Sequence, residues 1–501
     1  MEITSKRDIF GMIFFALSVI MLEYMFLTPL NHYILHVDEY FTISVLTLPL
    51  GDIVNITSWD VHPPLYYILG KIAVKIAEAI GIDSMQGLRI LSTIPYILIL
   101  AISATKIRKD YGLLSAGLFT FSLAVMSEFF AHFLIARMYS WAILFIIIAF
   151  ISFTEIIKNN DKKAWIILTV FSVLCAYTHY FAAISVVCLY ILLLVYIMKF
   201  EKDKLKMWIM SIAGAAILYI PWIPPLIRQM TQVRAAYWIR QVNPDLFIKS
   251  LGYIAYANDA VIGLIAIAVI IGILYIYKKE SSNEDEKERF LILSGARVYI
   301  GTILLAVILS VVFRPILMPR YLLPATAVMW LAISIILGKI KNRKMFMISA
   351  AMIALLLVIG ITTTISTNDY LYNSGVHQKE VLDNITNDPN STLIINNQNM
   401  IMYFLSYANQ SDTYVLNVNH VFGENMDRLH KFYDFNTFNG RDIDKLIANK
   451  TGKNIYIISW SDPVLNTTTE KIDAWAGVTI SRVNTTNATS LSKDENINNG
   501  V

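Results

Sequence analysis

The chain has 501 residues, 56% of them hydrophobic and only 16% charged, with a mean hydropathy of +0.56. A soluble globule this apolar would expose extended sticky patches, so the ordinary soluble classes are excluded. The formal charge of +4 gives no case for nucleic acid as a partner, and Cys175 and Cys188 lie in apolar runs without the spacing of a zinc site or a disulfide framework.

In chain order, the start "MEITSKRDIFGMIFFALSVIMLEYMFL" pairs a basic flank with an apolar stretch too long for a cleaved signal. It reads as a retained first span. Eleven spans are predicted in all, near 10–30, 88–107, 112–130, 138–157, 164–180, 182–199, 207–226, 259–277, 297–313, 320–338 and 345–365. Each is close to the length of about 20 residues that crosses a bilayer as a helix. With Lys6 and Arg7 on the cytoplasmic side, the loops 106–110, 158–163, 199–206, 278–289 and 339–344 fall on that side too. Each carries Lys or Arg in excess or at its membrane edge, as the positive-inside rule requires.

The stretch 63–81, "PPLYYILGKIAVKIAEAIG", is apolar but carries Lys71, Lys75 and Glu78. Counting it as a span would invert every later loop, so it is predicted to be an amphipathic helix lying in the interface. Residues 31–87 are then one large extracytoplasmic loop. Residues 366–501 turn polar and Asn-rich, with acids outnumbering bases. "TLIINN" (392–397) and "NIYIISW" (454–460) read as buried strands, and 440–453 as a helix between them. This predicts a small extracytoplasmic α/β domain over 366–483 and a disordered tail over 484–501.

Sorting polar residues by side leaves the chemistry on the outer face. "HVDEYFT" (36–42) places Asp38 and Glu39 just past the first span, and "SWDVHPPLYY" (58–67) supplies Asp60 and His62. A carboxylate there suits the proton transfer of a general base, and equally suits the solvated end of a helix. Asp60 fits either a helix cap or a polar ligand contact. With Asp38, Asp60 and His62 have the ligand types of a divalent-metal site, but no spacing demands one. "ARMYSW" supplies Arg137 and Tyr139, "THYF" His179, and "MPRYLLP" Arg320 and Tyr321. Arginine forks suit phosphate, and interfacial arginines also snorkel to lipid headgroups.

A first span followed by Asp-Glu, then "HPPLYY", "ARMYSW" and a late "PRYLLP" along eleven spans, resembles the GT-C glycosyltransferases. The branch it is most similar to is glycosyltransferase family 39, with the protein O-mannosyltransferases and lipid A aminoarabinose transferases. The resemblance covers about residues 1–365 and rests on the order and common sidedness of motifs that are individually weak. It implies a GT-C fold and transfer of a sugar from a polyprenyl- or dolichyl-phosphate donor to a glycan, lipid or protein hydroxyl, with inversion. It implies Asp38 as the base with Glu39 beside it, and Arg320 and Arg137 at the donor phosphate, where Tyr321, next to Arg320, is a further candidate. Asp60, His62, His179 and Tyr139 would line the substrate site. The eukaryotic β-trefoil insert has no counterpart here, which leaves the acceptor open. A flippase for lipid-linked sugars and a non-catalytic envelope-assembly protein are the rival readings.

Overall fold

The structure is a computed structural model. It describes residues 4–27, 37–159, 161–232, 239–255, 260–281, 285–396, 404, 412–416, 434–439, 442–450, 452–459, 468–475 and 478–483. The tail expected to be disordered, 484–501, lies outside them. The chain forms two compact units, one of Met1–Leu30 with Leu50–Asn368, the other of Asn31–Pro49 with Asp369–Val501.

The first unit is a helical bundle. Among the described residues nine helices are long and apolar enough to cross a membrane. The two other predicted spans also exist as helices. One is broken, Leu113–Val125 followed by Ser127–Leu134 at a 74° bend. The other is Lys162–Thr178, whose 17 residues sit at the short end of a crossing length. The chain is therefore a polytopic helical membrane protein. The stretch predicted to lie in the interface forms the 15-residue helix Leu65–Ala79.

Caps set many of the helix starts. Asp83 accepts from the backbone N–H groups of Met85 (3.0 Å) and Gln86 (3.1 Å), and Asp161 from that of Lys163 (2.9 Å). Burial separates the helices into centre and rim. In Pro319–Lys339, 94% of the most apolar window is buried, against 11% in Lys202–Thr231. A helix apolar all round belongs at the centre, and Leu323–Lys339 sits there against Leu113–Val125, Tyr139–Asn159 and Glu286–Val312.

Two glycines bring Thr4–Leu27 and Leu113–Val125 into backbone contact. A Cβ on Gly117 would stand 2.1 Å from the Gly11 carbonyl oxygen, and one on Gly11 2.5 Å from the Leu113 carbonyl carbon. Only glycine permits that approach. Ser18 and Thr120 hydrogen-bond across it at 2.9 Å. The break at Met126 frees backbone carbonyls in an apolar setting. Thr364 Oγ1 donates to the Val125 carbonyl at 2.7 Å and satisfies one of them.

Charge sorts to one end of the bundle. Tyr139–Asn159, Tyr180–Phe200 and Leu323–Lys339 all finish in an ionic layer. There Lys106 pairs with Glu155 (2.5 Å) and Asp110 (3.1 Å), Lys287 with Glu201 (2.9 Å), and Lys339 with Glu288 (2.5 Å). The same three helices begin, one helix length away, beside Arg137, His179 and Tyr321.

The second unit contains a six-stranded sheet. Its strands are β1 (Ser391–Asn396), β2 (Asp412–Leu416), β3 (Asn436–Phe438), β4 (Asn454–Ser459), β5 (Thr469–Trp475) and β6 (Val478–Val483), in the order β3-β2-β1-β4-β6-β5. The first four run parallel, and β6 is antiparallel to β4 and β5. The two predicted strands are the central pair β1 and β4. The predicted helix is Ile443–Ala448, whose Ile443 and Ile447 pack with Ile394, Ile455 and Ile457 in the core. The helix Val37–Thr47 also belongs to this unit.

Candidate functional site

In the first unit, the motifs taken separately from the sequence meet. The helix Leu65–Ala79 starts after Pro63 and Pro64, with Pro64 at its N-cap position. Its first turn carries Tyr66 and Tyr67, both fully buried. The Tyr66 hydroxyl shares a hydrogen bond with Ser92 at 2.8 Å, and the two tyrosine rings meet edge-on at 6.2 Å. Tyr67 thereby holds its hydroxyl against Arg137, whose Nη1 donates to it at 3.0 Å. Arg137 is only 3% exposed. So "DVHPPLYY" positions the arginine of "ARMYSW".

A cluster of rings lies beside this pair. His179 sits at the junction of Lys162–Thr178 and Tyr180–Phe200, with extended φ and ψ that end one helix and start the next. Its ring lies 5.9 Å from that of His62, 5.2 Å from Tyr139 and 5.3 Å from Tyr321. Tyr139 also takes His132 edge-on at 4.5 Å. Arg137, Arg320 and His132 lie within electrostatic reach of His179. Arg320 further stands 5.7 Å from the Tyr321 ring centre. Asp60 and Arg314 act on the hydroxyl of Tyr180, which donates to Gln229 Oε1 and accepts from Trp222 Nε1 at 3.1 Å. Gln229 Nε2 in turn donates to the Thr57 carbonyl at 2.9 Å, tying this corner to Leu50–Trp59.

An apolar groove of about 700 Å³ opens from this cluster. It runs between Lys162–Thr178, Tyr180–Phe200, Leu205–Tyr219 and Glu286–Val312. Its body is lined by Val173, Ile184, Leu194, Trp208 and Ile212, and its head by His62, His179, Arg314 and Tyr321. A long apolar trough ending in a guanidinium, two imidazoles and a phenol suits an amphiphile with an anionic head.

Two groups here escaped the sequence reading. Arg314 lies in the "FRPILMPRYLLP" stretch, where Pro315 follows it at the end of Glu286–Val312, yet Arg320 drew the attention. Glu128 is the sole acid between Asp110 and Glu155. That signal alone makes it a candidate functional residue, an ionisable group within an apolar region. Tyr253 donates to Glu128 Oε2 at 2.6 Å, and His132 Nδ1 stands 3.6 Å from the same carboxylate.

The structure thus brings together Asp60, His62, Arg137, Tyr139, His179, Arg320 and Tyr321 in the first unit. Asp38 and Glu39 belong to the second, in the first turn of Val37–Thr47, where negative charge suits the helix N-terminus. Asp38 is half-buried and its carbonyl accepts from Thr42 Oγ1 at 3.0 Å, while Glu39 is fully buried. Among the described residues, no three His, Cys, Asp or Glu side chains group closely enough to hold a metal ion.

No protein-family model matches the chain, and no curated protein sequence does. Solved structures do. ArnT from Cupriavidus metallidurans, an aminoarabinose transferase, superposes in its apo state with a TM-score of 0.58 at 12% identity. The same protein bound to undecaprenyl phosphate gives 0.60 at 11% identity. Both comparisons cover 94% of this chain and 97% of ArnT. At such identity the likeness speaks for architecture alone, and the architecture is the one the order of motifs implied: this chain has the GT-C fold.

Proposed function

We propose that the chain is a membrane glycosyltransferase that takes a sugar from a polyprenyl-phosphate donor and passes it to a hydroxyl of a glycan, lipid or protein. The observation that carries this reading is the groove, apolar along its body and cationic at its head, within a GT-C fold. The structural neighbour bound to undecaprenyl phosphate supports the same lipid class.

In this reading the prenyl tail lies along Ile184, Leu194 and Ile212, and the phosphate sits at the head. Arg314, Arg137 and Arg320 supply positive charge there, Arg137 held in place by Tyr67. The acceptor oxygen attacks the anomeric carbon and the bond from that carbon to the phosphate oxygen breaks. Its electron pair leaves on the phosphate, where the guanidinium groups stabilise it. One preorganised donor of this kind contributes about 2.7–4 kcal/mol. The base that the family resemblance implies is Asp38, and taking the acceptor's proton is worth roughly 10²–10⁴-fold in rate. Attack opposite the leaving phosphate inverts the anomeric centre.

The test is incubation of the purified protein with polyprenyl-phosphate sugars, with and without candidate acceptor glycans and lipids. Release of free polyprenyl phosphate is the expected result. Binding of these lipids with no sugar loss under any acceptor condition would refute transfer.

A further inference from the structure

His179 combines three features that its place in the ring cluster does not explain. It is 2% exposed, and it lines the head of the groove. Its Nδ1 accepts the backbone N–H of Phe181 at 3.2 Å, capping the Tyr180–Phe200 helix. An Nδ1 that accepts carries no proton, so the neutral ring bears its hydrogen on Nε2. That Nε2 is fully buried and has no hydrogen-bond partner among the described residues. Burying a donor without an acceptor is costly, and such a group in a folded protein calls for an explanation.

We propose that Nε2–H of His179 is a fixed, uncharged donor that hydrogen-bonds a phosphate oxygen of the lipid held at the head of the groove. This rests on the reading of the groove as a polyprenyl-phosphate site. The helix cap fixes the tautomer, and the rings of His62, Tyr139 and Tyr321 fix the plane. The tautomer and the ring plane are therefore set before the lipid arrives, and a small shift at the head of the groove opens Nε2–H to the phosphate. Arginines attract the phosphate over distance. A neutral N–H adds direction without adding charge, so it favours an oxyanion over the hydroxyl of a free polyprenol.

The test uses the full-length protein in detergent and two ligands, undecaprenyl phosphate and undecaprenol, with buffer as blank. His179→Asn keeps a short acceptor for the Phe181 N–H and removes the distal donor. His179→Gln places an amide N–H near the Nε2 position. The expected result is that His179→Asn binds undecaprenyl phosphate about 10- to 100-fold more weakly, the size of a lost hydrogen bond to a charged group. Its undecaprenol affinity should stay unchanged, and His179→Gln should recover most of the loss. Equal weakening towards both lipids would make His179 a packing residue and overturn the proposal, as would full phosphate affinity in His179→Asn.

A second measurement needs no variant. In wild-type protein with ¹⁵N-labelled histidine, the His179 Nε2–H resonance should move downfield with undecaprenyl phosphate and stay in place with undecaprenol. An unmoved resonance on phosphate binding overturns the assignment. Should the wild-type protein fail to bind undecaprenyl phosphate at all, the donor class itself falls, which is a different result from a bound lipid that ignores His179.

Discussion

Tyr67→Phe removes one oxygen and keeps the ring. Tyr67 is fully buried and its hydroxyl accepts from Arg137 Nη1 at 3.0 Å, with Arg137 3% exposed. Water has little access to replace that acceptor. A hydrogen bond to a charged group contributes about 1.5–3 kcal/mol, and the loss leaves a buried guanidinium N–H short of this partner. The edge-on Tyr66 contact and the Tyr66–Ser92 bond do not involve the deleted atom, so the quantity of interest is the coupling between Tyr67 and Arg137. A double-mutant cycle isolates it. Equilibrium unfolding in detergent should show Tyr67→Phe costing about 1.5–3 kcal/mol in the wild-type background. In an Arg137→Met background the same change should cost under about 0.5 kcal/mol, because no guanidinium remains to be partnered. Equal costs in both backgrounds would show that Tyr67 does not position Arg137, and the link between the two motifs would fall.

Four further outcomes are expected. Asp38→Asn should abolish sugar transfer while donor-lipid binding persists; near-normal turnover would remove Asp38 from the base role. Arg320→Ala should weaken undecaprenyl phosphate binding several-fold by removing a positive charge near the head of the groove, and unchanged affinity would move the phosphate elsewhere. Ala215→Trp fills the groove that Ala215 lines and should abolish lipid binding without unfolding the protein, so lipid binding at wild-type affinity would place the tail outside it. Thr364→Val keeps the side-chain shape but strips the Val125 carbonyl of its donor. It should destabilise the bundle by about 1–3 kcal/mol in a thermal or denaturant melt.

The helical class, the span positions and the existence of the helix Leu65–Ala79 were legible in the sequence. They follow from hydropathy and the placement of Lys and Arg, which act locally and repeat along the chain. The same holds for β1 and β4, whose buried isoleucines mark them without reference to neighbours. The break at Met126 was not legible. No proline or glycine stands there, the apolar run continues through it, and the Thr364 hydroxyl that satisfies the Val125 carbonyl comes from the last span.

The candidate site divides along the same line. Which residue types crowd one face could be read from sequence, because charged and aromatic residues at span ends are conspicuous in an apolar chain. Which of them touch could not. Arg137 meets Tyr67 across 70 positions, and Tyr139, His179 and Tyr321 gather from three different helices. Arg314 and Arg320 look alike in sequence, yet only Arg314 lines the groove. The sequence alone determined that this chain lies in a membrane, with conspicuous polar and aromatic residues at the ends of its spans, because transfer from water to lipid is a sum over local residues. Only the tertiary structure decided which guanidinium, imidazole and hydroxyl share a pocket, because that depends on how distant helices pack.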